Sequence, residues 1–184
     1  AREVNHSEDL LKVATISANG ESEVAQLIVD AIDSAGPDGH VIVEEAKGFS
    51  SSLQVVDGFQ MERGFLSPYF VTDKNKMTAE FLKPLILMAD RNFNSVRELM
   101  KPLEVALDMG RPIVVIANEI EGDALQGLVL NRVKGSLRVA AMKSPGFGGA
   151  RHDLLLDLES IVGGKVLDSS FDMTSFDATM FGTC

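Results

Sequence analysis

The sequence holds a single cysteine, Cys184, so no disulfide can form within the chain. That fits a reducing compartment. Basic side chains are also scarce. Seventeen Lys and Arg face 27 Asp and Glu, for a net charge of −10 at pH 7. Such an excess argues against nucleic acid and anionic membrane surfaces as partners, because basic patches supply the affinity for both. No apolar run approaches the ~20 residues of a membrane span. The opening residues AREVNHSEDL lack the apolar stretch of a signal peptide. His6, His40 and His152 lie far apart, without ligand spacing, and read as solvated or capping side chains. Ser67 stands in LSP, not in the nucleophile elbow G-x-S-x-G. Repeats and low-complexity segments are missing too. The chain opens without Met and ends in DATMFGTC, which reads as an excised piece of a longer protein.

What is present is enough for one full core and a small second lobe, with 184 residues and 45% hydrophobic content. In ESEVAQLIVDAIDSAG the apolar residues Val24, Leu27, Ile28, Ala31, Ile32 and Ala35 have helical spacing, and Gly36 is placed to end the helix. GPDG then reads as a turn, and HVIVEE and LQVVDGFQM as strands. Polar and small residues over 44–52 suggest a boundary between lobes. From Pro84 to Leu167 strands and helices alternate: PLILMA, NSVRELMKPLEVALDMG, PIVVIAN, EGDALQGLVLNRVKG, LRVAAM, ARHDLLLDLESIVGG and KVL. Asn94 or Ser95 is the expected cap of the first of these helices, Gly110 its stop, and Pro102 the expected kink or break. Alternation of this kind predicts parallel βαβ pairing.

A βαβ chain invites a nucleotide-binding reading, which needs glycines between a strand and the next helix. The turn DRNFNS has none, and EIEGD has one among three carboxylates. KSPGFGG carries Gly146, Gly148 and Gly149, but not at the G-x-G-x-x-G or P-loop spacing. Glu119, Glu121 and Asp123 could be imagined as a metal cluster. A solvated helix N-terminus accounts for them better, since carboxylates there complement the helix dipole.

Two features stand out. RGFLSPYF sets Phe65, Tyr69 and Phe70 within eight residues and interrupts them with Gly64 and Pro68. Pro68 bars a helix interior, so an irregular or short extended segment is expected. The second feature is apolar width. Leu125, Leu128, Val129, Leu130 and Val133 spread over roughly 200° of helix circumference, against the ~100° stripe of a half-buried helix. The preceding helix carries Val96, Leu99, Met100, Leu103 and Leu107 on one side, with Val105 and Met109 on the other. Either both helices are packed on two sides, as in a structural spacer, or they flank an exposed groove with the aromatic segment as its third wall. Contiguous exposed apolar surface marks binding sites, and peptide capture is a common use. A flexible Met100 suits varied partners. A small enzyme or nucleotide-binding α/β domain is the alternative from another class.

VATISANG at 13–20, RGFLSPYF at 63–70, GDALQGLVLNRVKG at 122–135 and VAAMKSPGFG at 139–148 resemble the group I chaperonins, the GroEL type. The resemblance spans essentially the whole chain. It implies a first intermediate (hinge) segment at 1–56, a small α+β piece. It implies an incomplete apical substrate-binding domain at 57–184, an α/β layered domain of parallel βαβ units with helices on one side. The function it implies is capture of non-native polypeptides, and of the lid co-chaperonin's mobile loop, in one groove between two helices. The positions it assigns to that groove are Phe65, Tyr69, Phe70, Met100, Leu103, Leu125, Val129 and Leu130, with Asn131 at the rim. The family's Gly-Asp-Gly-Thr-Thr nucleotide motif is missing, so no ATPase and no cofactor is expected of this chain. ATP, magnesium and a homo-oligomeric ring are expected of the full-length parent, in the cytoplasm, mitochondrial matrix or plastid stroma. The piece alone is expected to be monomeric or weakly associating. Four departures accompany the match: Phe65 where Tyr is common, Met100 where Leu is common, a proline one place later than usual at Pro102, and GGARHD at 148–153 where the family is more basic.

Overall fold

Strands that read as unbroken apolar runs belong inside a sheet covered on both faces. The computed structural model, which describes residues 7–36, 39, 41–43, 45, 46, 48, 50–55, 58–61 and 63–184, places them there. The chain falls into two compact units, Ala1–Gly58 and Phe59–Cys184. The fold of the second is α/β. Its parallel strands are β1 (Leu85–Phe93), β2 (Ile113–Ile120), β3 (Val139–Lys143) and β4 (Val166–Leu167), in the order β3-β2-β1-β4. A short β5 (Gly182–Thr183) runs antiparallel against Leu85 and Ile86 of β1.

Successive side chains of a strand point to opposite faces. Leu85, Leu87 and Ala89 of β1, with Ile113, Val115 and Ala117 of β2, pack in one core. This core is closed by Leu99, Leu103 and Ala106 of α3 (Val96–Asp108) and Ala124 and Leu128 of α4 (Gly122–Val133). Ile86, Met88 and Ile116 point the other way, onto Leu155 and Leu158 of α5 (Gly149–Val162). The helices therefore cover both faces of the sheet rather than one. The cause is topological. The crossovers through α3 and α4 step along the sheet in one direction, whereas the crossover from β3 to β4 passes back over β2 and β1. Right-handed crossovers taken in opposite directions put their helices on opposite faces.

The first unit holds α1 (Ser7–Ser17) and α2 (Ser22–Ala35), joined through Asn19 (φ 55°) and Gly20 (φ 91°). Ala14, Ala25 and Val29 form its small core, with Leu10, Leu11 and Ala18 against them. Helix α1 was not anticipated, although Leu10, Leu11, Ala14 and Ala18 have helical spacing. The strands expected at 40–45 and 53–61 do not form among their described residues, 41–43 and 45, and 53–55 and 58–61. An extended segment becomes a strand only when its N–H and C=O groups find a ladder, and none is available to these residues among those described. The remainder of both strands, and Pro37 and Asp38 of the expected turn, lie outside the described residues. Among the described residues no helix is long and apolar enough to cross a membrane.

Past β4, where no pattern was read, Asp168, Asp172 and Asp177 fold the chain through local turns. Their carboxylates accept from Ser170, Thr174 and Thr179, backbone and hydroxyl alike. The Ser170 hydroxyl at Asp168, the Thr174 amide at Asp172 and the Thr179 hydroxyl at Asp177 hold these carboxyls below their ordinary range. Unfolded, each binds its proton near pH 4. Folded, each holds out to lower pH. The unfolded state thus carries more protons in that window, and stability must fall as pH drops below about 4. Urea midpoints from pH 5 to 2 should show this loss, and Asp168→Asn, Asp172→Asn and Asp177→Asn combined should flatten it. An unchanged slope would place the acid sensitivity elsewhere.

Candidate functional site

The aromatic segment is held at three points. Leu66 N donates to Ala141 O of β3 at 2.8 Å, and Phe65 bridges Met142 in antiparallel fashion. Arg132 of α4 donates from Nη2 to Val71 O at 3.2 Å. Between them Ser67 opens a 3-10 turn, Pro68–Phe70, its hydroxyl accepting from Tyr69 N at 3.4 Å. Such a turn has about three residues per revolution. Ser67 and Phe70 therefore face inward together, while Pro68 and Tyr69 face out. Phe70 is 0% exposed and belongs to the main core, and Phe65 and Leu66 pack half-buried against it. Tyr69, at 67% exposure, is the one ring of the three open to a partner. Phe70 is thus corrected from a groove residue to a core residue.

Helices α3 and α4 are joined at their N-terminal ends. Ser95 and Glu98 form a capping box on α3, and Arg91 Nη2 steadies Glu98 Oε2 at 2.9 Å. Asp123 of α4 accepts from Val96 N at 3.4 Å, and Ala124 N donates to Asn94 O at 3.2 Å. Gly127 permits the close approach: a Cβ there would lie 2.5 Å from Val96 Cγ2. Pro102 does not split α3, which runs unbroken with Pro102 buried inside it. Its cost is the intrahelical bond that the Glu98 carbonyl would otherwise accept.

Beyond the Val96–Gly127 contact the helices leave a groove of about 310 Å³. Val96, Met100, Leu103 and Leu107 line one wall at helical spacing, with Glu104, and Asn131, Ser136 and Leu137 line the other. Leu103 is nearly buried at the floor, whereas Met100 and Leu107 are 50% and 56% exposed. Of the nine expected site residues, Met100, Leu103 and Asn131 line this groove. Leu130, at 52% exposure, stands on α4 beside Asn131 but outside the lining. Leu125 and Val129 turn inward, half-buried against the main core. The apolar width of α4 is thus shared between core and solvent. Sequence reading missed Gly127, Glu104, Ser136 and Leu137. A glycine inside a helix was the available signal for the first, because it costs helix stability unless close packing demands it.

A second cluster sits at the carboxyl ends of β1, β2 and β3, where open α/β sheets commonly bind ligands. Buried Ser144 donates to Asn118 Oδ1 at 3.0 Å, and Asn118 Nδ2 donates to Asp90 Oδ1 at 2.8 Å. Asp90 Oδ2 meets His152 Nδ1 at 2.9 Å. Lys143 donates to Glu119 at 2.7 Å, and that bond holds the Glu119 carboxyl below its ordinary range. These groups are spent on one another and clasp three strands to α5. His152 is accordingly a half-exposed side chain hydrogen-bonded into the clasp, not a helix cap. Among the described residues no three His, Cys, Asp or Glu stand together as a metal site. No protein-family model matches the chain.

Proposed function

We propose that the chain is a chaperone module that captures exposed hydrophobic segments of non-native polypeptides in the groove between α3 and α4. The observation that carries this reading is the stripe Val96, Met100, Leu103 and Leu107, facing Leu137 and open to solvent at Met100 and Leu107. Scattered exposed aliphatic side chains are ordinary, but Met100 and Leu107 stand two turns apart along one groove wall, and contiguous apolar surface of that kind marks interaction sites. The chaperonin-like motifs support the same reading. They add the mobile loop of a lid co-chaperonin as a second occupant, and an ATP-driven ring as the setting of the full-length parent. The chain itself performs no catalysis in this proposal.

Each fully buried aliphatic side chain contributes ~1.5–3 kcal/mol, and association and peptide ordering consume much of the sum. One module should therefore bind at micromolar Kd or weaker, with avidity across a ring making up the difference. Met100→Glu should weaken binding of a labelled unfolded peptide at least about tenfold, read by fluorescence anisotropy. Its thermal midpoint should stay near that of the parent chain, because Met100 is half in water already. A lid-loop peptide should compete for the same site. Undiminished peptide binding by Met100→Glu, or simultaneous binding of both ligands, would remove the groove from the proposal.

A further inference from the structure

Resting on that reading, the groove's polar atoms say which apolar segments it selects. Glu104 is the single ionised side chain in the lining. It is exposed and has no ion-pair partner among the described residues. Lys101, three residues before Glu104, and Arg132, Lys134 and Arg138, which neighbour the other wall's residues in sequence, are not part of the lining. Asn131 spends one amide N–H on Gly127 O at 2.9 Å, which leaves its Oδ1 as an acceptor. The Ser136 hydroxyl can accept as well. The groove therefore offers aliphatic walls, two groups that can both donate and accept, Asn131 and Ser136, and one acceptor-only carboxylate, so Glu104 alone sets the sign of the charge it prefers.

We infer that the preferred occupant is an extended segment whose aliphatic side chains enter between Met100, Leu103 and Leu107 and whose Lys or Arg pairs with Glu104. Extended backbone suits the site better than helix, because a helix has already paired its N–H and C=O groups internally whereas an extended chain brings both free to Asn131 and Ser136. A carboxylate on the occupant would meet Glu104 as a like charge.

The test uses the full chain and three capped peptides of identical aliphatic content, carrying Lys, Gln or Glu at one position. Anisotropy at low salt should rank them Lys, Gln, Glu, with about two- to fivefold between steps, the scale of a solvent-accessible ion pair. Glu104→Gln should collapse the ranking, and Glu104→Lys should reverse it. Asp157→Asn on α5 removes the same charge from the opposite face of the sheet and should leave the ranking intact. If both neutralising variants reduce the ranking equally, only the net charge of −10 is at work and the inference fails. If all three peptides bind alike, charge selection fails while the groove stands. If the Gln peptide does not bind at all, the capture reading and the inference fall together.

Discussion

Phe70→Glu should unfold the Phe59–Cys184 unit, whereas Leu130→Glu should leave it folded. Phe70 is fully buried among the residues that close the sheet against α3 and α4. An ionised carboxylate there has no partner and would pay the desolvation of a buried charge. Even Phe70→Ala should cost ~3–5 kcal/mol through lost burial and a cavity, a large share of the ~5–15 kcal/mol that holds a domain together. Leu130 is half in water, so a charge there should shift stability by no more than about 0.5 kcal/mol. Urea unfolding followed by far-UV circular dichroism distinguishes them. A Phe70→Glu chain with the parent's midpoint would mean that the 3-10 turn can rotate its ring out to solvent.

Gly127 should prove as sensitive as a core residue, although it has no side chain. Gly127→Val places a branched side chain where a Cβ alone would sit 2.5 Å from Val96 Cγ2 and 2.9 Å from its Cβ. Those atoms lie next to the α3 backbone and cannot swing away, so the helices must part. Overpacking of this kind costs ~1–3 kcal/mol. It would also break the contacts from Asp123 and Ala124 that join the two helix starts. Gly127→Ala is gentler, since alanine recovers ~1 kcal/mol of helix propensity. Combining it with Val96→Ala should restore most of the loss, giving a coupling of ~0.5–3 kcal/mol in a double-mutant cycle. Additive effects would show that α3 and α4 do not rest on this contact. Peptide affinity should change with stability, because the groove's width depends on where the helices touch.

Much of the α/β unit is legible from local pattern. Apolar runs bounded by turn residues mark β1 to β4. Ser95 and Glu98 announce the start of α3, and Gly110, at φ 63°, stands just past its end. The three Asp-led turns and β5 were not legible. Gly182 and Thr183 carry no strand pattern, and they pair only because β1 offers an unsatisfied edge at Leu85 and Ile86. The candidate site was half legible. Spacing shows that α3 and α4 have apolar surface to spare, but it cannot say which residues of an over-wide stripe the core takes.

By itself the sequence determined the class of fold, the alternation of its strands and helices and the absence of a nucleotide-binding glycine pattern, because those depend on residues near one another along the chain. Only the tertiary structure decided that Phe70 is core and Tyr69 surface, that α5 covers the face opposite α3 and α4, and that His152 reaches Asp90. It alone placed Glu104 in the wall of an apolar groove. Each of those outcomes depends on what lies across from a residue rather than beside it. Burial and pairing are properties of two surfaces meeting, and one strand of letters describes only one of them.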